Sequence, residues 1–521
     1  MLKSIKVLLE QKMKKNSFYI TTTLPYVNAP LHLGHATEII RADTIARFKK
    51  IQGFDVFFNT GTDEHGQKIY ESAEKAGKGV KEYVDYYADL YKRTLERFGV
   101  LSDVHYIRTT DENHTKAAKE FWARCKDKGF IYKKNYQAKY CVGCEEEKTE
   151  SELVDGKCPE HDRVPDLINE ENYFFKFSAF TDKLENFYKE NSDFIVPNYR
   201  MNEMREFIKH GLNDFSISRL KSKMSWGIDV PGDEDHVMYV WFDALTNYIS
   251  TLGWPDKTPL LMEEGVGGGN SKNHHLALKG SPPQQGGEES LFSKYWINGN
   301  PTQYCGKNNT RFQGLMWQAM LLAVDLPLTH QIIVDGFILG EGGIKMSKTL
   351  GNTIDPLDLI QEYGTDGLRY FVLRDFHSFE DTAVSKDRLK ESYNANLANG
   401  LGNLTSRILT LSEKYLDNGI KETKFSIPQV NDFLNTFDIQ LAMKVIFDLI
   451  NDLDKQIQKT EPFKVIKVNE EEGKKLIKSH VKQLLTIAKS LAPFLPETSE
   501  KIVELIKQNK KPEKPLFLRK E

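Results

Sequence analysis

Cysteine is scarce in this chain, five in 521 residues, and the number is odd. Cys141, Cys144 and Cys158 fall within eighteen positions, while Cys125 and Cys305 stand apart. That distribution excludes a disulfide framework and fits a reducing compartment. Long hydrophobic runs are missing too: no stretch approaches the ~18 consecutive apolar residues that a membrane span requires, which excludes a membrane-embedded function. Net charge is nearly absent, −3 at neutral pH. It says nothing against a nucleic-acid partner, because binding needs only a local basic patch. Met1 to Lys15 lack arginine and a small-residue cleavage site and contain Glu10, so they read as a plain cytosolic leader, with Met13 as an alternative start. A cytoplasmic location is expected.

What the chain does have is length, which at roughly 100–200 residues per domain implies about three domains. Apolar residues make up 40 % and charged residues 28 %, a balance suited to folded globular domains. Phe18–Thr22 reads as a buried strand, the apolar positions Ile39, Ile40, Ile45 and Ile51 as a helix, and Val56–Phe58 as a second strand. Strand, helix, strand predicts an α/β fold with a doubly wound parallel sheet, whose ligands sit beyond the strand C-termini. From about Lys128 to Lys223 the pattern changes to cysteines and aromatics, an inserted domain. The α/β pattern then resumes with Val237–Trp241 and Ile332–Val334. Glu263–Ser290, rich in Gly, Asn, Gln and His, is expected to be a surface loop. Past residue 386 the helical period takes over with Leu397, Leu401, Leu404, Ile408 and Leu411, the mark of a helical bundle. Beside that seam Asn396, Asn399, Asn403 and Arg407 form a polar stripe that suits either a solvated face or a nucleic-acid contact.

Three clusters carry candidate chemistry. His32-Leu33-Gly34-His35 sits where the first strand hands over to its helix, and backbone N–H groups and the helix dipole favour phosphate there. The expectation is that both imidazoles donate to phosphate and that Gly34 lets the nucleotide approach the backbone. Lys345-Met346-Ser347-Lys348-Thr349, flanked by Gly342, Gly343 and Gly351, reads as a basic turn or as a movable loop closing over a triphosphate. Cys141-x2-Cys144 and Cys158-x2-His161 give four soft ligands in two tight pairs, the pattern of a closed, structural tetrahedral Zn²⁺ knuckle.

In this order HxGH and KMSKT resemble the paired signatures of class I aminoacyl-tRNA synthetases. Thr23–Asn28, Gly61–Gly66 and Tyr239–Ala244 look specifically like the methionyl-tRNA synthetases. The resemblance runs from about Phe18 to Leu516. It implies ATP-dependent activation of L-methionine with release of pyrophosphate, then transfer to tRNA(Met), with Mg²⁺ accompanying ATP. It implies catalytic roles for His32, Gly34, His35, Lys345 and Lys348, with Met346 and Ser347 joining them in ATP binding. Leu24, Tyr26, Trp241, Ala244 and Tyr248 would enclose the methionine side chain, and Asp63 would hold its ammonium group; aromatic walls suit a polarizable thioether. Asn403, Arg407 and Phe463 match anticodon-binding positions. The organisation expected is a Rossmann catalytic domain in two halves, 16–127 and 224–340, split by a zinc-knuckle domain at 128–223. A signature-loop and stem-contact region at 341–385 and a helical anticodon-binding domain at 386–521 follow.

This chain departs from the family in Asn308 and Gln313, where an aspartate and a histidine are usual, in Thr349, where serine is common, and in Phe463, where tryptophan is common. Gln313 lies near the methionine pocket and can replace one hydrogen bond without carrying charge. The synthetases for isoleucine, valine and leucine need a large editing domain, because one methylene supplies only about 1–3 kcal/mol of discrimination. The insertion here has too little chain for one. A cysteine enzyme would place zinc in the active site. A non-catalytic tRNA binder would not need both signatures, and a small-molecule nucleotidylyltransferase would not need the bundle. With no appended dimerisation module in the sequence, a monomer is expected.

Overall fold

A computed structural model describes residues 16–144, 146–159, 162–255, 289–344, 346, 353–420 and 427–521. Leader Met1–Lys15, His161, Lys345, Ser347, Lys348, Thr349 and nearly all of the Glu263–Ser290 stretch lie outside them. The chain divides into two compact units, 1–30 with 53–93 and 103–334, and 31–52 with 94–102 and 335–521.

The first unit is organised by a six-stranded sheet. Its strands are ordered His105–Arg108, Asp55–Thr62, Ser17–Thr22, Pro301–Gly306, Gln331–Asp335 and Ile195–Val196. Every residue of Tyr19–Thr22 is fully buried, as a parallel strand covered on both faces must be. Ser17–Thr22 pairs in parallel with Asp55–Thr62 on one side and with Pro301–Gly306 on the other. Leaving aside the short Ile195–Val196 edge, the order is 3-2-1-4-5, the expected doubly wound sheet, with its switch point between the first and fourth strands. A Cβ at Gly61 would lie 1.8 Å from the Ile107 carbonyl oxygen, so only glycine lets the second and third strands close there.

Ile131–Cys141, Glu146–Lys148, Asp166–Phe175 and Phe215–Ser216 form a separate antiparallel sheet in the inserted segment. The expected return to α/β pattern at Val237–Trp241 is different in the structure. Asp233–Met238 pairs antiparallel with Ser218–Leu220 in a small three-stranded sheet, and Val240–Ala244 is helical. A short apolar run satisfies strand and buried helix alike, which is why periodicity misassigned it.

The second unit holds the helix Leu33–Ile51, the end of the Val80–Arg97 helix and the C-terminal helices. The leucine seam is buried at Leu397, Leu401, Leu404 and Ile408, as expected, while Asn399, Asn403 and Arg407 face outward. Two buried guanidiniums organise this unit. Arg41 Nη1 donates to Asp335 Oδ1 at 2.8 Å and its Nη2 donates to the carbonyls of Phe376 and His377 at 3.0 and 2.9 Å. Arg369, fully buried, ion-pairs with Asp43 Oδ2 at 2.8 Å and donates to the carbonyls of Phe98, Gly99, Pro493 and Phe494. Burial presses the Arg369 guanidinium below its usual range, and the Asp43 carboxylate opposes this. Among the described residues no helix is long and apolar enough to cross a membrane.

Replacing Arg369 by methionine removes one of the two guanidiniums on the buried Asp43 carboxylate, leaving Arg47 Nε at 2.7 Å, and takes its donors away from the carbonyls of Phe98, Pro493 and Phe494. Arg369→Met is expected to cost about 3–5 kcal/mol, read as a lowered urea midpoint; an unchanged midpoint would show that the ion pair is dispensable.

Candidate functional site

The loop after the first strand carries Leu24 and Tyr26, and the end of the second strand carries Asp63. Backbone bonds lock them together: Asp63 N donates to Pro25 O at 3.0 Å and Val27 N donates to Asp63 O at 3.2 Å, with Tyr26 and Asp63 in a parallel bridge. Trp241 comes from the Val240–Ala244 helix, and its ring stands edge-on to Tyr26 at 6.4 Å. Phe312 stacks flat on Trp241, 3.7 Å between centroids and 6° between planes. Leu24, Asp63, Trp241, Ala244, Tyr248 and Gln313 are all buried and Tyr26 is half-buried. Gln313 Nε2 donates to Thr23 Oγ1 at 2.9 Å, and Gln313 Oε1 has no hydrogen-bond partner among the described residues. Tyr248 meets Trp317 edge-on at 5.8 Å, so it also serves the aromatic core. The structure therefore gathers in one unit the three stretches from which the methionine-enclosing residues were expected.

Behind these walls lies a cluster that the sequence reading missed. Asp243, fully buried, accepts from His65 Nδ1 at 2.9 Å and from His114 Nε2 at 3.1 Å, and His114 Nδ1 bonds Ser250 Oγ at 2.9 Å. Burial alone would raise the Asp243 carboxyl, but the two imidazoles outweigh it and hold the group below the usual carboxylate range. Asp243 lies two residues from Trp241 and His65 two from Asp63, so one carboxylate pins both stretches. The signal was a buried His114 on the apolar face of helix Glu112–Asp127.

The HxGH residues belong to the other unit. His32 is the N-cap of Leu33–Ile51: its Nδ1 accepts from Gly34 N at 3.1 Å and His35 N at 3.3 Å, while His35 Nδ1 accepts from His32 N at 3.4 Å. The rings stack at 3.7 Å. With both Nδ1 atoms accepting, each neutral ring carries its proton on Nε2 and is a donor from that atom. A Cβ at Gly34 would lie 2.9 Å from the His32 ring, so the glycine also accommodates the capping imidazole. Of the KMSKT stretch only Met346 is described, half-buried.

Cys141, Cys144 and Cys158 come together with their Sγ atoms all within 4.8 Å of one another, the last two 3.5 Å apart. A tetrahedral zinc with Zn–S bonds of about 2.3 Å sets its sulfurs about 3.8 Å apart, so this cluster could hold such a metal. In the C-terminal unit Arg407 pairs with Asp454 at 3.0 Å, Asn403 is exposed, and Phe463 is 42 % exposed at the start of helix Pro462–Val468.

The family model "tRNA synthetases class I (M)" matches residues 18–164 and 151–409. The chain belongs to the class I methionyl-tRNA synthetases. It is 38 % identical over 506 residues to a methionine–tRNA ligase of Caldanaerobacter subterraneus, spanning 94 % of this chain and 74 % of that protein. The Thermotoga maritima ligase is 36 % identical, with 95 % and 76 % covered. A solved Mycobacterium tuberculosis methionyl-tRNA synthetase in complex with methionyl-adenylate superposes with a TM-score of 0.83 at 34 % identity, over 95 % of this chain and 94 % of that one.

Two outcomes are expected. Elemental analysis of the purified protein should find one zinc per chain, lost in Cys144→Ser; a metal-free, folded wild-type chain would refute the knuckle. The second concerns acid. A carboxyl depressed by folding contributes stability that is complete above its unfolded value of about 4 and is lost as pH falls through its lower folded value. Acid unfolding of Asp243→Asn should therefore set in less steeply than that of wild type below about pH 4, and identical acid profiles would count against the imidazole clamp.

Proposed function

We propose specific roles for the residues of this methionine–tRNA ligase, which activates methionine with ATP and transfers it to tRNA. Trp241, Tyr26, Leu24, Ala244 and Tyr248 enclose the thioether, Asp63 takes the ammonium group, and Gln313 closes the pocket with a neutral amide. The carrying observation is the convergence of three distant stretches: Tyr26 bridged to Asp63, Tyr26 6.4 Å from Trp241, and His65 2.9 Å from Asp243. Buried aromatic walls with one carboxylate at the rim suit a neutral, polarizable side chain attached to a cation.

The methionine carboxylate oxygen attacks the α-phosphorus of ATP, forming the P–O bond of methionyl-adenylate as the bond to pyrophosphate breaks. His32 and His35 donate from Nε2 to phosphate oxygens, where their stacked, capped geometry fixes them before ATP arrives. Lys345 and Lys348, with Met346 and Ser347 in the same stretch, neutralise charge on the departing pyrophosphate, and Mg²⁺ arriving with ATP would supply further positive charge there. The terminal ribose hydroxyl of tRNA(Met) then attacks the methionyl carbonyl carbon and AMP leaves. Cys141, Cys144 and Cys158, with His161, would hold a zinc that ties the inserted segment together. Asn403, Arg407 and Phe463 bind the anticodon, Arg407 already oriented by Asp454 and Phe463 offering a stacking face.

ATP–pyrophosphate exchange with methionine, isoleucine, valine, leucine and cysteine tests the assignment. Exchange with methionine alone is expected, abolished in Lys348→Ala and with methionine KM raised at least about tenfold in Trp241→Ala. Exchange with another amino acid in preference to methionine would overturn the pocket.

A further inference from the structure

Beyond its walls, the proposed pocket has a support on the helix Val80–Arg97. Leu24–Pro30 is an irregular loop, and irregular backbone close to a binding site must have its carbonyls satisfied to keep one shape. Asp63 N takes the Pro25 carbonyl at 3.0 Å. Three more, those of Tyr26, Asn28 and Ala29, go to tyrosines. Tyr91, 1 % exposed, points its hydroxyl at Tyr26 O, 2.8 Å away, and at Ala29 O, with one hydrogen to share between them. Tyr83 donates to Asn28 O at 3.1 Å. Tyr87 lies between the two, its ring centroid 4.9 Å from Tyr83 and 6.2 Å from Tyr91. The spacing 83, 87, 91 is one helix face, so three aromatics stand in a row under the loop.

We propose that Tyr91 and Tyr83 are positioning residues for methionine: their hydroxyls fix the Tyr26–Ala29 backbone, and with it the angle at which Tyr26 faces Trp241. This rests on the pocket assignment above. The loop around Tyr26 is thus bonded both to the end of the second strand, through Asp63, and to the helix Val80–Arg97, through Tyr91 and Tyr83. Losing the Tyr91 hydroxyl frees the Tyr26 and Ala29 carbonyls to seek other donors, and the loop then samples positions that no longer match the thioether. Burial pushes Tyr91 far above the ordinary phenol range, and burial with the Tyr87 neighbour pushes Tyr83 up to about 12, so both remain donors under assay conditions.

The test is exchange kinetics on full-length wild type, Tyr91→Phe, Tyr83→Phe and Trp241→Ala, with urea unfolding in parallel. Tyr91→Phe is expected to raise methionine KM about threefold to tenfold, the effect of one neutral hydrogen bond, with ATP KM and kcat little changed. Tyr83→Phe should show the same selectivity more weakly, and carries the test should Tyr91→Phe fail to fold. The methionine effect should also be flat between about pH 6 and about pH 9, since no donor titrates there. A methionine KM within twofold of wild type in both folded variants would overturn the clamp, as would equal changes in methionine KM, ATP KM and kcat that track lost stability. Failure of the pocket reading looks different: Trp241→Ala would then leave methionine KM unchanged.

Discussion

Everything at the candidate site depends on one strand pairing, Ser17–Thr22 beside Pro301–Gly306 in parallel, across some 280 residues of intervening chain. That pairing creates the switch point of the sheet, and it brings the loop after each strand to the same edge, where Thr23 meets Gln313. The long interruption is thermodynamically tolerable, because each doubling of a closed loop adds only about 0.6 kcal/mol of entropy cost. The inserted antiparallel sheet with its three-cysteine cluster can therefore be carried inside the doubly wound fold without disturbing it. Once the first and fourth strands are registered, Leu24, Tyr26 and Gln313 have fixed origins, and only their loops remain to be held.

How those loops are held shows that signature residues serve structure as well as chemistry. His32 caps its helix through the same ring that would meet phosphate, and the cap determines which nitrogen carries the proton. Gly61 sits where the Ile107 carbonyl leaves no room for a Cβ. His65, inside the Gly61–Gly66 stretch, binds a buried carboxylate. Burying a charge without a partner costs several kcal/mol, and Asp243 faces two imidazoles, Asp43 faces Arg369 and Arg47, and Arg41 faces Asp335. These pairs over-determine the backbone around them, and rigid surroundings are what a positional catalyst requires.

The doubly wound sheet, the inserted segment and the helical C-terminal region were legible in the sequence because each leaves a periodic or compositional trace. The three-cysteine cluster was legible because ligand spacing is local, although its fourth expected member, His161, lies outside the described residues. The Asp243 cluster was not legible: His65 and His114 lie far in sequence from each other and from Asp243 and Ser250, and only tertiary structure assembles them. The same holds for Phe312 on Trp241 and for Tyr91 under Tyr26. Gly34 has a structural role that the motif alone did not suggest. Motif logic looked outward to a ligand, while the nearest obstacle to a side chain is the neighbouring imidazole.

Gln313 shows how such a substitution can be absorbed. It sits in the π-helical turn Phe312–Met316, a backbone irregularity that shifts side-chain direction by part of a turn. Its amide nitrogen is engaged by Thr23, and its own main-chain carbonyl accepts from Gln318 Nε2 at 2.8 Å. The amide nitrogen and the main chain at Gln313 are thus both held, and its buried Oε1 has no hydrogen-bond partner among the described residues. A buried acceptor without a donor is costly, so a ligand that brings an N–H to this point gains more than the same contact would yield on the surface. In the proposed pocket the only such donor on methionine is its ammonium group. A neutral glutamine can therefore contribute to orientation without the charge repulsion that a protonated imidazole would bring against that same cation.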